Sequence, residues 1–408
     1  MDAVLDDYLD TFGGVLLEGA RGCGKTSTGL NRAGSSVRLD RSPRMRELAD
    51  LNPQEVLRGE APRLVDEWQL APSLWNSIRH EIDDRQQRGQ FILSGSAAPA
   101  DDISRHTGVG RIGRVRMRPM SLAESGASSR DVSLSAMRKS GEISGRSALS
   151  YSDLAAEAVR GGWPGLLGAS ERQAMLFTRS YIDDLRVSDV PFATGVKHDA
   201  ERMRRLLESL ARNTASEVKL ASLAADVSAD GGTTAPETVR RYLDALSGVF
   251  ALEALPAWSV ALRSKSRLRT NPKLMLTDPS LACAALGIGA SRLARDPEFF
   301  GQVFEAMAVR DLRSLADVEG GRLYHYRDNT GLEVDAVIEY PDRSWVAVEV
   351  KLGESRIADA EKHLLTLRDQ RVDTRVGPAD FLAVVTGTEY AYTLPSGVHV
   401  VPLAALTA

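Results

Sequence analysis

The sequence predicts an α/β protein. A parallel sheet flanked by helices fills the first third, a helical stretch follows, and a second α/β unit closes the chain. Three observations predict this. Short apolar runs alternate with helix-length segments between 13 and 126, the pattern of strands joined by crossover helices. Apolar residues recur at helical spacing through 151–215, as at Met203, Leu206, Leu207 and Leu210. From about 296 the order becomes helix, three strands, helix, strand.

A length of 408 residues leaves room for two to four folding units. With 43% apolar and 26% charged residues, the composition is globular, neither disordered nor collagen-like. There are 51 basic and 55 acidic residues, and a net charge of −4 excludes a surface basic throughout, leaving only local patches for nucleic acid. Two cysteines, Cys23 and Cys283, are too few for a disulfide scaffold, and the histidines show no zinc-ligand spacing. The start, MDAVLDDYLD, is acidic and unlike a signal peptide, and no apolar run approaches the ~20 residues of a membrane helix. The expectation is a soluble, cytoplasmic chain with no membrane partner.

The first strand, around Val15-Leu16-Leu17, leads into Gly19-Ala20-Arg21-Gly22-Cys23-Gly24-Lys25-Thr26, which fits G-x-x-x-x-G-K-[ST]. Residues without a Cβ let consecutive backbone N–H groups curl around a phosphate, and the helix that follows adds its positive end. Gly19 through Ser27 thus form a nucleotide cradle, with Lys25 facing the β- and γ-phosphates of ATP and the Thr26 hydroxyl binding Mg²⁺. A glycine-rich turn that merely precedes a helix is the bland alternative, and the strand-and-helix context argues against it.

About forty residues on, Leu64-Val65 ends in Asp66-Glu67. Beside a phosphate loop, Asp66 is the metal ligand and Glu67 the base that polarises an attacking water, which favours hydrolysis over kinase chemistry. Standing alone, the two acids would be a solvated strand end. A third strand, Phe91-Ile92-Leu93, ends in Ser94-Gly95-Ser96, where Ser94, and second Ser96, could sense the γ-phosphate. Then comes His106-Thr107-Gly108-Val109-Gly110-Arg111, in which Arg111 is the candidate arginine finger, acting in its own or a neighbouring subunit. Arg114, Arg116 and Arg118 alternate with Val115 and Met117, as in a strand with one solvated face.

These segments, with GGWP at 161–164 and the closing strands, resemble a family of prokaryotic AAA-type ATPases whose C-terminal half is known as a domain of unknown function. The resemblance implies an ATP-hydrolysing AAA-type domain and carries the loop, metal and water-activating roles onto Gly24, Lys25, Thr26, Asp66 and Glu67. It implies no biological task.

Ser- and Gly-rich residues 127–150 read as a connector. Val218, Leu220 and Leu223, the Gly231-Gly232 pair, and a helix from Pro236 with an apolar stripe at Val239, Tyr242, Leu243 and Leu246 precede VFALEALP, read as a hairpin. That is a winged-helix layout. In a DNA reading, Thr238, Arg240 and Arg241 face the groove, and the basic run Arg263, Lys265, Arg267, Arg269 and Lys273 adds phosphate contacts. Glu237 and Asp244 oppose it, and winged helices also serve as packing modules.

At the C-terminus, Asp335 begins one strand and Glu349-Val350-Lys351 ends the next, with Glu305 on an upstream helix. Glu349 and Lys351 are two apart and share a face. The set resembles the PD-(D/E)xK nuclease superfamily, in which Asp335, Glu349 and Glu305 would hold Mg²⁺ and Lys351 would orient the attacking water. An internal Asp–Lys–Glu ion-pair cluster meets the same burial cost.

The expected organisation is an ATPase domain over 1–126, a connector and helical segment over 127–197, a winged-helix-like domain over 198–262 and a nuclease-like domain over 263–408. The leading function is an ATPase whose cycle gates DNA or protein contacts. The alternatives are an ATP-regulated, Mg²⁺-dependent DNA nuclease and a nucleotide-dependent regulator without cleavage. A finger acting in trans requires a homo-oligomer.

Overall fold

A computed structural model of the chain describes all but residues 97–107, 142, 192–198, 229–232, 260–270 and 374–375. The chain forms two compact units: Met1–Pro119, with short later stretches from Ser188 and at Ala245–Ala251, and the remainder.

The first unit runs α1 (Asp2–Thr11), β1 (Gly14–Gly19), α2 (Lys25–Leu30), β2 (Ser35–Arg38), α3 (Pro43–Leu51), α4 (Pro53–Leu57), β3 (Arg63–Asp66), α5 (Leu74–Arg85), β4 (Phe91–Gly95) and β5 (Ile112–Met117). Its five strands are all parallel, in the order β2-β3-β4-β1-β5. The sheet is apolar on both faces because helices cover both. Leu16, Val65 and Leu93 pack with Trp68, Trp75 and Ile78 on one side, and Val15, Leu17, Leu64 and Ile92 pack with Leu5 and Leu9 on the other. This is the two-residue alternation of a strand buried twice. Because all strands run one way, their C-terminal ends share an edge, and β4 lies between the loop strand β1 and the carboxylate strand β3. Parallel α/β sheets bind ligands at that edge.

The second unit begins with α6 (Leu122–Ser125), β6 (Val132–Ser133), α7 (Leu134–Ser140), β7 (Gly145–Arg146), α8 (Tyr151–Arg160) and α9 (Glu171–Asp184). A small module follows: α10 (Ala200–Arg212), β8 (Ser216–Glu217), α11 (Leu220–Val227), α12 (Pro236–Gly248, in this unit as far as Asp244), β9 (Leu252–Leu255) and β10 (Lys273–Leu276), with the sheet order β8-β10-β9. Then come α13 (Pro279–Ala285), α14 (Ala290–Leu293), α15 (Pro297–Asp317), β11 (Arg322–Arg327), β12 (Glu333–Glu339), β13 (Trp345–Lys351), α16 (Ile357–Thr366), β14 (Phe381–Thr386), β15 (Tyr390–Thr393), β16 (His399–Pro402) and β17 (Leu406–Thr407).

A seven-stranded mixed sheet, β11-β12-β13-β14-β16-β15-β7, is the core of this unit. Helix α15 is its spine. Asp296 caps it by accepting the Phe299 N–H at 3.1 Å, and Pro297 occupies the first turn, where its missing N–H costs nothing. Phe300, Val303, Phe304 and Met307 are fully buried against the sheet, each phenylalanine contributing about 1.5–3 kcal/mol.

Three expectations are corrected. Residues 127–150 are not a plain connector: β7 extends the large sheet by pairing with β15, and β6 pairs with β17, because backbone at a sheet edge finds its hydrogen-bond partners there. VFALEALP is not a hairpin: its Leu252–Leu255 strand pairs with Lys273–Leu276, so the small module reaches beyond 262. Most of the later three expected divisions, apart from the stretches from Ser188 and at Ala245–Ala251, falls with Met120 onward in one compact unit, whose buried residues from Leu122 to Leu406 share a cluster. Of the basic run, Arg263, Lys265, Arg267 and Arg269 lie outside the described residues.

Candidate functional site

The phosphate loop stands on the C-terminal end of β1. Gly19 must be glycine because a Cβ there would lie 2.2 Å from the Met117 carbonyl oxygen of neighbouring β5. Gly24 caps α2 at φ 103°, a left-handed backbone that side chains resist. Ala20 and Cys23 are buried beneath the loop, and Cys23 Sγ lies 3.8 Å from the Met117 carbonyl. Burial raises the Cys23 thiol pKa above its usual value, so it serves as a packing residue rather than a nucleophile. Gly22 and Ser27 are exposed, and Arg21 points outward to Asp189 at 3.1 Å. The Lys25 ammonium is buried and donates to the Gly19 and Ala20 carbonyls at 2.8 and 2.9 Å. It is held by neutral acceptors, and among the described residues no carboxylate pairs with it.

The carboxylates sit one strand beyond β4. In register, Arg38, Asp66 and Ser94 form a row across β2, β3 and β4. Asp66 Oδ1 accepts from Thr26 Oγ1 at 2.9 Å and from the Ser94 hydroxyl, and Asp66 itself is buried. The hydroxyl and carboxylate assigned to Mg²⁺ from the sequence therefore converge on one place. Those oxygens are hard donors of the kind Mg²⁺ takes, so the residues fit that ion. Glu67 follows with φ 56°, which turns its side chain out of the strand, and it accepts from the Gln69 amide and, at 3.4 Å, from Ser96 Oγ. Both Ser94 and Ser96 thus touch the carboxylates, Ser94 on Asp66 and Ser96 on Glu67.

Arg111 does not reach the phosphate loop of its own subunit. It precedes β5, and its carbonyl accepts from Gly14 N–H at the start of β1, so it stands at the opposite end of the sheet from the loop. At about 3.3 Å per residue the separation is about 20 Å. Its guanidinium instead holds Asp83 at the end of α5, at 2.6 Å. A parallel strand order puts the first residue of β5 far from the phosphates of its own subunit. The residue that sequence reasoning missed is Arg38, whose Nε lies 3.3 Å from Asp66 Oδ2. Its only signal was a cation ending a short strand.

The C-terminal set also assembles. Glu349 and Lys351 share a face, and Lys351 Nζ lies 2.5 Å from Glu349 and 3.0 Å from Asp335. Asp335 Oδ2 also accepts the Val350 N–H at 2.8 Å, and His363 Nδ1 lies 3.1 Å from Glu349. Glu305 points from α15 into the same cluster, where its partner is Lys273 at 2.7 Å. Burial, with Asp335 nearby, pushes the Glu305 carboxyl up to about 8 and that of Glu349 up to about 7. The adjacent lysines hold Asp335 well below the ordinary carboxylate range, against the burial that opposes them. Lys273 was read as a phosphate contact; it is buried among carboxylates. Among the described residues no group of three or more acids, histidines or cysteines is arranged to hold a metal ion. On α12, Arg240 and Arg241 are exposed, as are Glu237 and Asp244, and Thr238 is half-buried.

Residues 12–126 match the family model of the AAA domain. Residues 151–292 and 300–406 match two domains of unknown function, DUF8612 and DUF4143. Uncharacterized protein Rv2008c of Mycobacterium tuberculosis is 26% identical over 394 residues, covering 95% of this chain and 79% of its own. An uncharacterized protein of Haemophilus influenzae is 25% identical over 127 residues, 31% of each chain. Among solved structures, the Walker-type ATPase PABY2304 of Pyrococcus abyssi aligns with a TM-score of 0.43 at 15% identity, over 70% of this chain and 94% of its own. Among the described residues, no helix is long and apolar enough to cross a membrane.

Proposed function

We propose, for a chain that belongs to the AAA-type ATPases and ends in a domain of unknown function, that it binds ATP with Mg²⁺ and hydrolyses it, and that the cycle gates contacts made by its C-terminal unit. The carrying observation is the meeting of Thr26 with Asp66 at 2.9 Å beside Glu67, at the sheet edge where the phosphate loop opens. Backbone N–H groups of 19–27 cradle the phosphates, and Lys25 leaves its two carbonyls to bind the β- and γ-oxygens. Thr26 and Asp66 would hold Mg²⁺, which would supply charge neutralisation on the phosphate oxygens. Glu67, oriented by Gln69 and Ser96, accepts the proton of the attacking water, while Ser94 keeps Asp66 in place.

The test is phosphate release by wild type, Lys25→Ala and Glu67→Gln. Both variants are expected to lose turnover, and Glu67→Gln to keep ATP binding. Full turnover in Glu67→Gln would remove the assigned base. For the gated contacts, the exposed Arg240 and Arg241 favour DNA, and ATP-dependent, salt-sensitive binding of a duplex would be the sign. Binding identical with and without ATP would sink the gating.

A further inference from the structure

We infer that Lys273 is the resident cation of the C-terminal carboxylate cluster, standing against two of the acids a nuclease would give its metal, so that this domain does not cut DNA. Its Nζ lies 2.7 Å from Glu305, 2.8 Å from Glu333 and 3.6 Å from Asp335. Those are hydrogen-bond and ion-pair lengths, while Mg²⁺ draws oxygens in to about 2.0–2.1 Å. An ammonium and a divalent ion cannot share that centre. The lysine side chain is only 3% exposed, so it cannot swing into water and leave the acids behind without moving its strand.

Each acid of the cluster has a cationic partner without a metal, although the acids outnumber the lysines. Four carboxylates, from Glu305, Glu333, Asp335 and Glu349, face two ammonium groups, Lys273 and Lys351, with Asp335 shared between them and His363 on Glu349. Buried acids must be paired or bind a metal, and here each of the four already has a cation beside it.

The strand that delivers Lys273 belongs to the small module, and that module is fastened to the large sheet by more than this lysine. Trp258 N–H donates to the His325 carbonyl at 2.6 Å, and His325 N–H donates to the Pro256 carbonyl at 2.9 Å. Arg313 of α15 donates to the Ala254 carbonyl at 2.9 Å and pairs with Glu253. Trp258 stacks on Trp345 with ring centroids 5.1 Å apart. Lys273 is therefore pinned from both sides of its strand pair and is no loosely tethered side chain.

The experiment measures Mn²⁺ binding by electron paramagnetic resonance on the full, nucleotide-free chain, beside cleavage of plasmid DNA in Mn²⁺. Wild type is expected to bind no Mn²⁺ at this cluster, giving the same signal as Asp335→Asn, and to leave the plasmid intact. Lys273→Met is expected to gain a Mn²⁺ site that is lost again when Asp335→Asn is added. Wild-type binding abolished by Asp335→Asn, or plasmid cutting lost with Glu349→Ala, overturns the inference, and neither arm requires the lysine variant to fold. A folded Lys273→Met chain that gains no metal also overturns it. These readouts need no ATP, so they stand whether or not the hydrolysis reading does.

Discussion

The two charged sites use the same residue types and leave them in opposite conditions. At the phosphate loop, Lys25 leans on two carbonyls, and Asp66 on two hydroxyls and the half-buried Arg38 at 3.3 Å, so few counter-charges are committed there. In the C-terminal cluster, lysines and carboxylates hold each other directly. A site kept ready for an anion and a metal has to withhold its counter-charges until they arrive. A cluster that has matched them has spent the same groups on holding strands together. Two acids and a lysine in a motif therefore say little about activity until their partners are known.

The comparison breaks most sharply at the first site. Lys25→Ala or Glu67→Gln is expected to lower phosphate release by about 10²-fold or more, the scale of losing a phosphate-binding charge or a positioned base. Turnover within a few-fold of wild type would make the loop site a nucleotide clamp only.

At the second site the effect is expected in stability. Lys273→Met leaves Glu305, Asp335 and the partly exposed Glu333 without their shared cation and is expected to cost about 3–5 kcal/mol in urea unfolding. A near-neutral result would show that the cluster is not held by this lysine.

A related pH effect comes from His325, which is fully buried among Lys273, Arg327, Glu217, Glu333 and the Asn271 carbonyl. Burial first, and then the Lys273 ammonium, push its imidazole down to about 4. The unfolded chain takes up the proton at about 6.5, so this contribution is complete above that pH. It is lost as pH falls toward 4, by about 3 kcal/mol in all. Unfolding of the second unit across this window should show that slope, and His325→Gln should flatten it.

Smaller still is Arg38→Ala. Taking a cation from beside Asp66 should let Mg²⁺ bind more easily, lowering the half-saturating Mg²⁺ for hydrolysis about threefold through a partly exposed charge. An increase would mean that Arg38 helps the metal rather than competes with it. Arg111→Ala should change turnover least, within about twofold for a monomer. A large loss that appears only at high protein concentration would assign Arg111 to a neighbouring subunit's phosphates.

The loop and its carboxylates were legible because their chemistry is local. Glycine spacing sets the backbone of 19–26, and an apolar strand delivers Asp66 and Glu67 to one edge. Glu349 and Lys351 were legible for the same reason, since a period of two puts them on one face. Lys273 was not, because its partners stand 32, 60 and 62 residues away and only the folded sheet unites them. As one lysine in a basic run it looked solvated. The distance of Arg111 from its own loop was not legible for a topological reason: it depends on which end of β5 the residue occupies, and spacing alone does not reveal that.

The most direct test puts both sites in one tube. Purified chain is incubated with ATP, Mg²⁺ and supercoiled plasmid, and released phosphate and plasmid topology are read together, with Glu67→Gln and Lys351→Ala beside wild type. Phosphate release that depends on Glu67 and a plasmid that stays intact in every lane are the expected results. Plasmid cutting that disappears with Lys351→Ala would contradict them and would make the C-terminal cluster a working nuclease.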